Sequence, residues 1–449
     1  MVDERTGARP MRIFSVLVFS LLSVSPAQAE VKIQEVISPG GITAWLVEEP
    51  SIPFMALELR FRGGGSLDRP EKRGALNLMT GLLEEGAGGL ESRGFARAVE
   101  DLAASFSYSL NSDSLSVSAR FLSENRDDAV ALLRSSLVDP NFNEPDIERV
   151  RGQVFAGLLS DTTDPDAIVG ATFNRMTFGD HPYATDLSGT NESVAALTRE
   201  DLVNAHGDIF AKDRLYVGAV GDITPAKLAI LLDELLGDLP KTGAPQPPAA
   251  EVTIEGGVTV VDFDTPQSVV LFGHTGIGLE DPDYFSATIL NHVLGGGSFE
   301  SRLMNEVREK RGLTYGVSTF LVPRDHAATY QGQVASANDR IAEAISVIRD
   351  EWSKAAEKGV TDEELRNAKT YITGAYPLRF DGNAPIARIM VGMQMIGFPI
   401  NYIATRNDKV DAVTLEDVNR VAAELLDVDE LHFVVVGKPA GLATGPLPQ

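Results

Sequence analysis

Residues 197–222 (LTREDLVNAHGDIFAKDRLYVGAVGD) and 413–438 (VTLEDVNRVAAELLDVDELHFVVVGK) align without a gap at an offset of 216 positions, with seven identities. Thr198, Glu200, Asp201, Asp213, Leu215, Val220 and Gly221 match Thr414, Glu416, Asp417, Asp429, Leu431, Val436 and Gly437. A helix followed by a strand is a common unit, but identities held at one offset point to duplication. The chain is therefore expected to fold as two copies of one module. Residues 241–250 (KTGAPQPPAA) are rich in Pro, Ala and Gly and read as the linker. Module one then spans 31–240 and module two 251–440, with a loose tail beyond.

Within module one, β-branched and alternating apolar residues predict strands at 43–48, 54–62, 107–108, 115–121 and 215–221. Apolar periodicity predicts helices at 73–85, 91–104, 125–137 and 144–160. In module two, 299–310 reads as a helix and 314–322 as a strand. Residues 362–388 read as a long helical region interrupted near Pro377 and Pro385. Strands and helices follow no strict alternation, so each module is expected to be α+β, a sheet covered by helices.

Residues 1–29 read as a signal peptide. Arg12 gives a short basic region, 13–24 is an apolar run too short to span a bilayer, and Ala27-Gln28-Ala29 is a small-x-small cleavage site. Export to the periplasm is expected, with no transmembrane anchor after cleavage. The absence of Cys excludes disulfides, thiolate metal sites and a Cys nucleophile. A formal charge of −25 repels nucleic acid and could steer cationic peptides inward, or simply keep an acidic surface soluble.

Residues 73–86, RGALNLMTGLLEEG, form an amphipathic helix pattern in which Leu76, Met79 and Leu83 make the buried stripe. Asn77, Thr80, Gly81 and Glu84 make the stripe beside it. This segment resembles the H-x-x-E-H helix of the insulinase/pitrilysin zinc peptidases. There, two His four apart lie on one helical face and share a zinc. Here the His positions fall on Asn77 and Gly81, and the catalytic Glu position on Thr80. Gly81 has no donor and Asn77 is a poor zinc ligand. The family's further ligand is a Glu on a later helix; the matching part here, 154–160, has no carboxylate. The six His, at 181, 206, 274, 292, 326 and 432, form no H-x-x-x-H pair. No metal and no catalytic residue is therefore expected in this chain alone. Paired carboxylates such as Glu84–Glu85 and Glu363–Glu364 read as solvated helix faces, and His181 in a His-Pro-Tyr turn as structural.

A second segment, 291–317 (NHVLGGGSFESRLMNEVREKRGLTYGV), resembles the substrate-gripping part of the same family. The resemblance assigns substrate binding to Arg308, to Tyr315 seven positions later, and to Gly295, Gly296 and Gly297 of the preceding loop. A guanidinium offers a planar fork to a peptide carbonyl or carboxylate, and a phenol can donate to an oxyanion. Arg302 and Arg311 are rivals for the arginine role, and the alternative is that Arg308 ion-pairs on its helix while Tyr315 packs in a strand.

The resemblance, to the processing-peptidase-like branch, implies two similar α/β-sandwich-like modules enclosing a chamber. It implies a metal-free subunit whose H-x-x-E-H partner carries the zinc, the pair acting on peptides. The competing readings are a peptide-binding or scaffold protein of the same fold, and an independent peptidase with a displaced metal site.

Overall fold

The first sheet is built from β1 (Gln34–Ile37), β2 (Thr43–Glu48), β3 (Phe54–Arg62), β4 (Ser105–Leu110), β5 (Ser114–Leu122) and β6 (Leu215–Gly221). Its strand order is β1-β2-β6-β3-β5-β4. The second sheet contains β7 (Gly257–Asp262), β8 (Gln267–Thr275), β9 (Val317–Pro323), β10 (Ala328–Ala337) and β11 (His432–Gly437), in the order β7-β11-β8-β10-β9. These are descriptions of a computed structural model covering residues 32–296 and 299–442. The leader at 1–29, Gly297 and the tail from 443 lie outside the described residues.

Apart from the extra edge strand β1, the two sheets have one topology. Each contains a single parallel pair, β2 with β6 and β7 with β11, and every other pairing is antiparallel. The duplicated identities account for the local match. Thr198 and Thr414 each cap a helix, Arg199–Ile209 and Leu415–Leu425, by accepting from the N–H of Asp201 and Asp417. Those Asp side chains reach back to the Thr backbone, closing two capping boxes. Gly221 and Gly437 end the two matched strands at φ of 142° and 152°. A Cβ at Gly221 would stand 2.3 Å from the Phe54 carbonyl oxygen, so only glycine fits there. The fold is thus two similar α+β modules, within a body that is continuous from Lys32 onward.

The central strands of each sheet are buried on both faces, and the second cover comes from the other half of the sequence. Helix Pro165–Phe178 lies on the second sheet, where Val169 and Phe173 pack with Val434 and Val436. Helix Asn383–Met395 lies on the first, where Ala387, Met390 and Met393 pack with Trp45 and Val220. Gly218 lets that helix approach, since a Cβ there would meet the Ala387 carbonyl oxygen at 2.6 Å. Two-sided burial explains why β11 is buried at every position rather than alternating. Residues 241–250 form no helix or strand and lie across both halves: Gln246 donates to the Arg62 carbonyl and the Ala250 N–H to that of His326.

The 362–388 region departs from expectation in one respect. Helix Asp362–Ala375 ends at a 3-10 turn over Tyr376–Phe380 containing Pro377. Pro385 breaks nothing, because it sits in the first turn of helix Asn383–Met395, where its missing N–H has no partner to lose.

Candidate functional site

The helix carrying the erased motif spans Ala75–Leu82, shorter at both ends than its periodicity predicts. Its amino end is held by Asp68, whose carboxylate accepts from the N–H groups of Gly74 and Leu76 at 2.8 and 3.0 Å. Burial pushes the Asp68 carboxyl up to about 6 even though these bonds and Arg73 favour its charge. A carboxyl raised in the folded state contributes more stability at pH 4 than at pH 7. Removing its helix-end bonds has the opposite consequence: Asp68→Ala is expected to cost about 1–3 kcal/mol at pH 8, measured by denaturant unfolding.

Leu76, Met79 and Leu83 are all but fully buried, as the stripe predicts. Beside them, Asn77 is half-buried, Thr80 is buried and Gly81 is exposed. The Thr80 hydroxyl donates to the Leu76 carbonyl at 2.7 Å, so it serves the helix itself. A Cβ at Gly81 would meet only Val150 Cγ1, at 3.1 Å, from helix Glu144–Asp161. The part of that helix where the family's further ligand is expected, 154–160, offers no carboxylate. The donor set does not suit zinc: one amide, one engaged hydroxyl and a glycine. Among the described residues no group of three or more His, Cys, Asp or Glu could hold a metal ion elsewhere. Purified chain dialysed against buffer with micromolar zinc is expected to retain well below one equivalent by elemental analysis; one tightly held equivalent would contradict this geometry.

The carboxylate pairs are less idle than their sequence implies. Glu85 pairs with Arg149 at 2.5 Å and accepts from Ser92. Glu364 closes a capping box with Thr361 and receives both Arg302 Nε and Nη2 at 2.7 Å.

In module two, helix Tyr284–Leu294 leads into the glycine loop. The Gly295 carbonyl accepts from the Thr319 N–H at 2.9 Å, which stitches the loop to β9. A Cβ at Gly295 would sit 2.6 Å from Thr319 Oγ1, and one at Gly296 2.7 Å from His292 Cα. Close packing therefore requires glycine at both positions. The helix predicted from Phe299 begins only after Ser301 and runs as a π-helix over Met304–Glu309. Such irregular turns recur at functional sites.

The three arginines of this segment are sorted by their partners. Arg302 is committed to Glu364, and Arg311 to Glu306 at 2.7 Å. Arg308 makes a looser ion pair with Glu309 at 3.4 Å and lies over the ring of Phe299, 5.1 Å from its centroid. Phe299 is itself 73% exposed. Tyr315 is 89% exposed and lies outside the strand predicted for it, because β9 begins at Val317. Thr314 is the reason: its hydroxyl bonds to the Gly316 carbonyl and to the Ala335 carbonyl, and accepts from the Gly316 N–H. This local turn displaces the ladder and projects Tyr315 outward. No hydrogen bond or ring contact joins Arg308 to Tyr315 among the described residues. Phe299 and Asp68 escape sequence reasoning, since neither ring exposure nor a cap from six residues upstream leaves a local pattern.

Known proteins match this arrangement along its length. The pattern of the insulinase family (peptidase family M16) matches residues 44–191, and that of the peptidase M16 inactive domain matches 196–372. Over 414 residues the chain is 28% identical to the non-peptidase homolog YmxG of Helicobacter pylori, covering 91% of this chain and 95% of that one. It is 26% identical over 395 residues to an uncharacterized zinc protease of Mycobacterium leprae, covering 87% and 88%. A crystal structure of a peptidase M16 inactive domain from Pseudomonas fluorescens matches with a TM-score of 0.85 at 27% identity, over 93% of this chain and all of that one. With family patterns covering both halves and an inactive-domain structure matching nearly the whole chain, the protein belongs to the insulinase (M16) peptidase family, as a member whose zinc helix lacks the ligands.

Proposed function

We propose that this chain is the zinc-lacking subunit of an exported, periplasmic two-subunit peptidase. A partner of the same family carries H-x-x-E-H and its zinc, and the two chains close a chamber around a peptide. The partner's metal supplies the activated water. Arg308 holds a carbonyl or carboxylate of the substrate, Tyr315 donates to the oxyanion as it forms, and the glycine loop passes close to the peptide backbone. The observation that carries the reading is the state of Arg308 and Tyr315. Arg302 and Arg311 are held by 2.7 Å ion pairs to Glu364 and Glu306, whereas the half-buried Arg308 has only the looser 3.4 Å pair with Glu309, and Tyr315 is 89% exposed, where a second chain and a peptide can reach it.

A second reading, a peptide-binding or scaffold protein without a role in proteolysis, draws support from the relative named a non-peptidase homolog. Size-exclusion chromatography of the chain with the H-x-x-E-H relative from the same organism separates the two. Co-elution with cleavage of an unstructured peptide supports the shared site. Peptide binding by this chain alone, with no complex and no change in the relative's activity, supports the scaffold.

A further inference from the structure

The β9–β10 turn of module two docks on module one at a cluster that lies outside the peptide-binding reading. The Asp325 N–H donates to the Asp113 carboxylate at 3.3 Å, and Arg62 at the end of β3 pairs with the Asp325 carboxylate at 2.9 Å. The His326 N–H donates to the Tyr183 hydroxyl at 3.1 Å, and that hydroxyl donates to Asp113. The Arg324 guanidinium lies over the Tyr183 ring, 4.9 Å from its centroid. Tyr183 therefore holds the turn to module one directly at the His326 N–H and the Arg324 guanidinium, and it bonds the Asp113 carboxylate that receives the Asp325 N–H.

His181 in turn positions Tyr183. Its Nε2 lies 3.1 Å from the Pro248 carbonyl, which can only accept, so Nε2 carries the proton. Nδ1 is left with the lone pair, and it accepts the Tyr183 N–H at 3.2 Å, capping the short helix Pro182–Ala184. A second proton can go only on Nδ1, where it would face that N–H directly. His206 and His274 instead turn their bonded ring nitrogen toward a carbonyl, which survives protonation.

We propose that His181 is a proton-sensitive pin on the junction between the two modules. Protonation of Nδ1 breaks the Tyr183 cap, and Tyr183 then releases Asp113 and the 324–327 turn. The surroundings oppose a second charge at the site. The His326 ring is 6.0 Å from that of His181, and its Nε2 is buried with no hydrogen-bond partner among the described residues. Arg73 from module one adds repulsion on His181, as Arg62 does on His326; Asp113 favours the charged form of both. Burial is the largest influence and holds both imidazoles below the usual value of 6.5. A histidine lowered in the folded state contributes stability that is complete above its unfolded value and is lost as pH falls through its folded one. The junction is therefore tight at neutral pH and loosens in acid.

Hydrogen–deuterium exchange of the full mature chain at pH 7.5 and 5.0, corrected for intrinsic rates, tests this. Peptides covering 181–185 and 324–330 are expected to exchange roughly tenfold faster at pH 5.0, while those from β3 keep their protection. His181→Asn keeps an oxygen that can cap Tyr183 but cannot titrate, so the acid response should vanish. Asp325→Asn removes the competing carboxylate and should leave the response in place. Unchanged wild-type exchange, an undiminished response in His181→Asn, or its loss in Asp325→Asn would each overturn the proposal.

Discussion

Tyr315→Phe is expected to lower kcat of the proposed two-chain peptidase by about a hundredfold while leaving the stability of this chain unchanged. The hydroxyl is the only atom group removed, and an 89% exposed side chain has little packing to lose. Arg308→Ala should act mainly on KM if, as proposed, the guanidinium holds substrate in the ground state as well as in the transition state. Steady-state kinetics of the mixture, with unfolding curves of each variant, check both expectations. Comparable losses from Arg302→Ala without unfolding would point to the wrong arginine, since Arg302 is tied to Glu364.

Phe173→Ala should be among the most destabilising single substitutions in module one, by about 3–5 kcal/mol, although the ring belongs to the apolar cluster on the second sheet. Phe173 is fully buried against Val434 and Val436. The cavity it leaves would open between the two halves of the sequence. Chemical denaturation of the full chain should show the loss as one shifted transition. If the substitution instead leaves the midpoint within about 0.5 kcal/mol, the reciprocal helix cover carries little of the stability.

That cover was not legible in the sequence, whereas the duplication beneath it was. The capping boxes at Thr198 and Thr414 and the strand-ending glycines at 221 and 437 are local chemistry, so the same residues at one offset specify the same local structure. Which sheet the 165–178 helix covers is a tertiary choice. Its apolar residues Val169 and Phe173 would suit either sheet, and the linear order of the chain assigns it to the wrong one. The site divides in the same way. Loss of the zinc ligands at Asn77 and Gly81 follows from side-chain identity alone, and the helix face is where periodicity places it. The Thr314 turn beside Tyr315 arises from competition between backbone and side-chain hydrogen bonds, and a strand or helix pattern records neither it nor the π-helix around Arg308. The arginine spacing leaves Arg302, Arg308 and Arg311 as rivals; only the positions of Glu364 and Glu306 separate them.

The central claim is that this chain completes another chain's active site. The most direct test is a titration of an H-x-x-E-H relative from the same organism with this chain, purified from residue 30 onward, following cleavage of an unstructured peptide. The shared-site account expects activity to rise from a low baseline to a plateau at one equivalent. Cleavage by the relative that is already maximal alone, and flat across the titration, would contradict it.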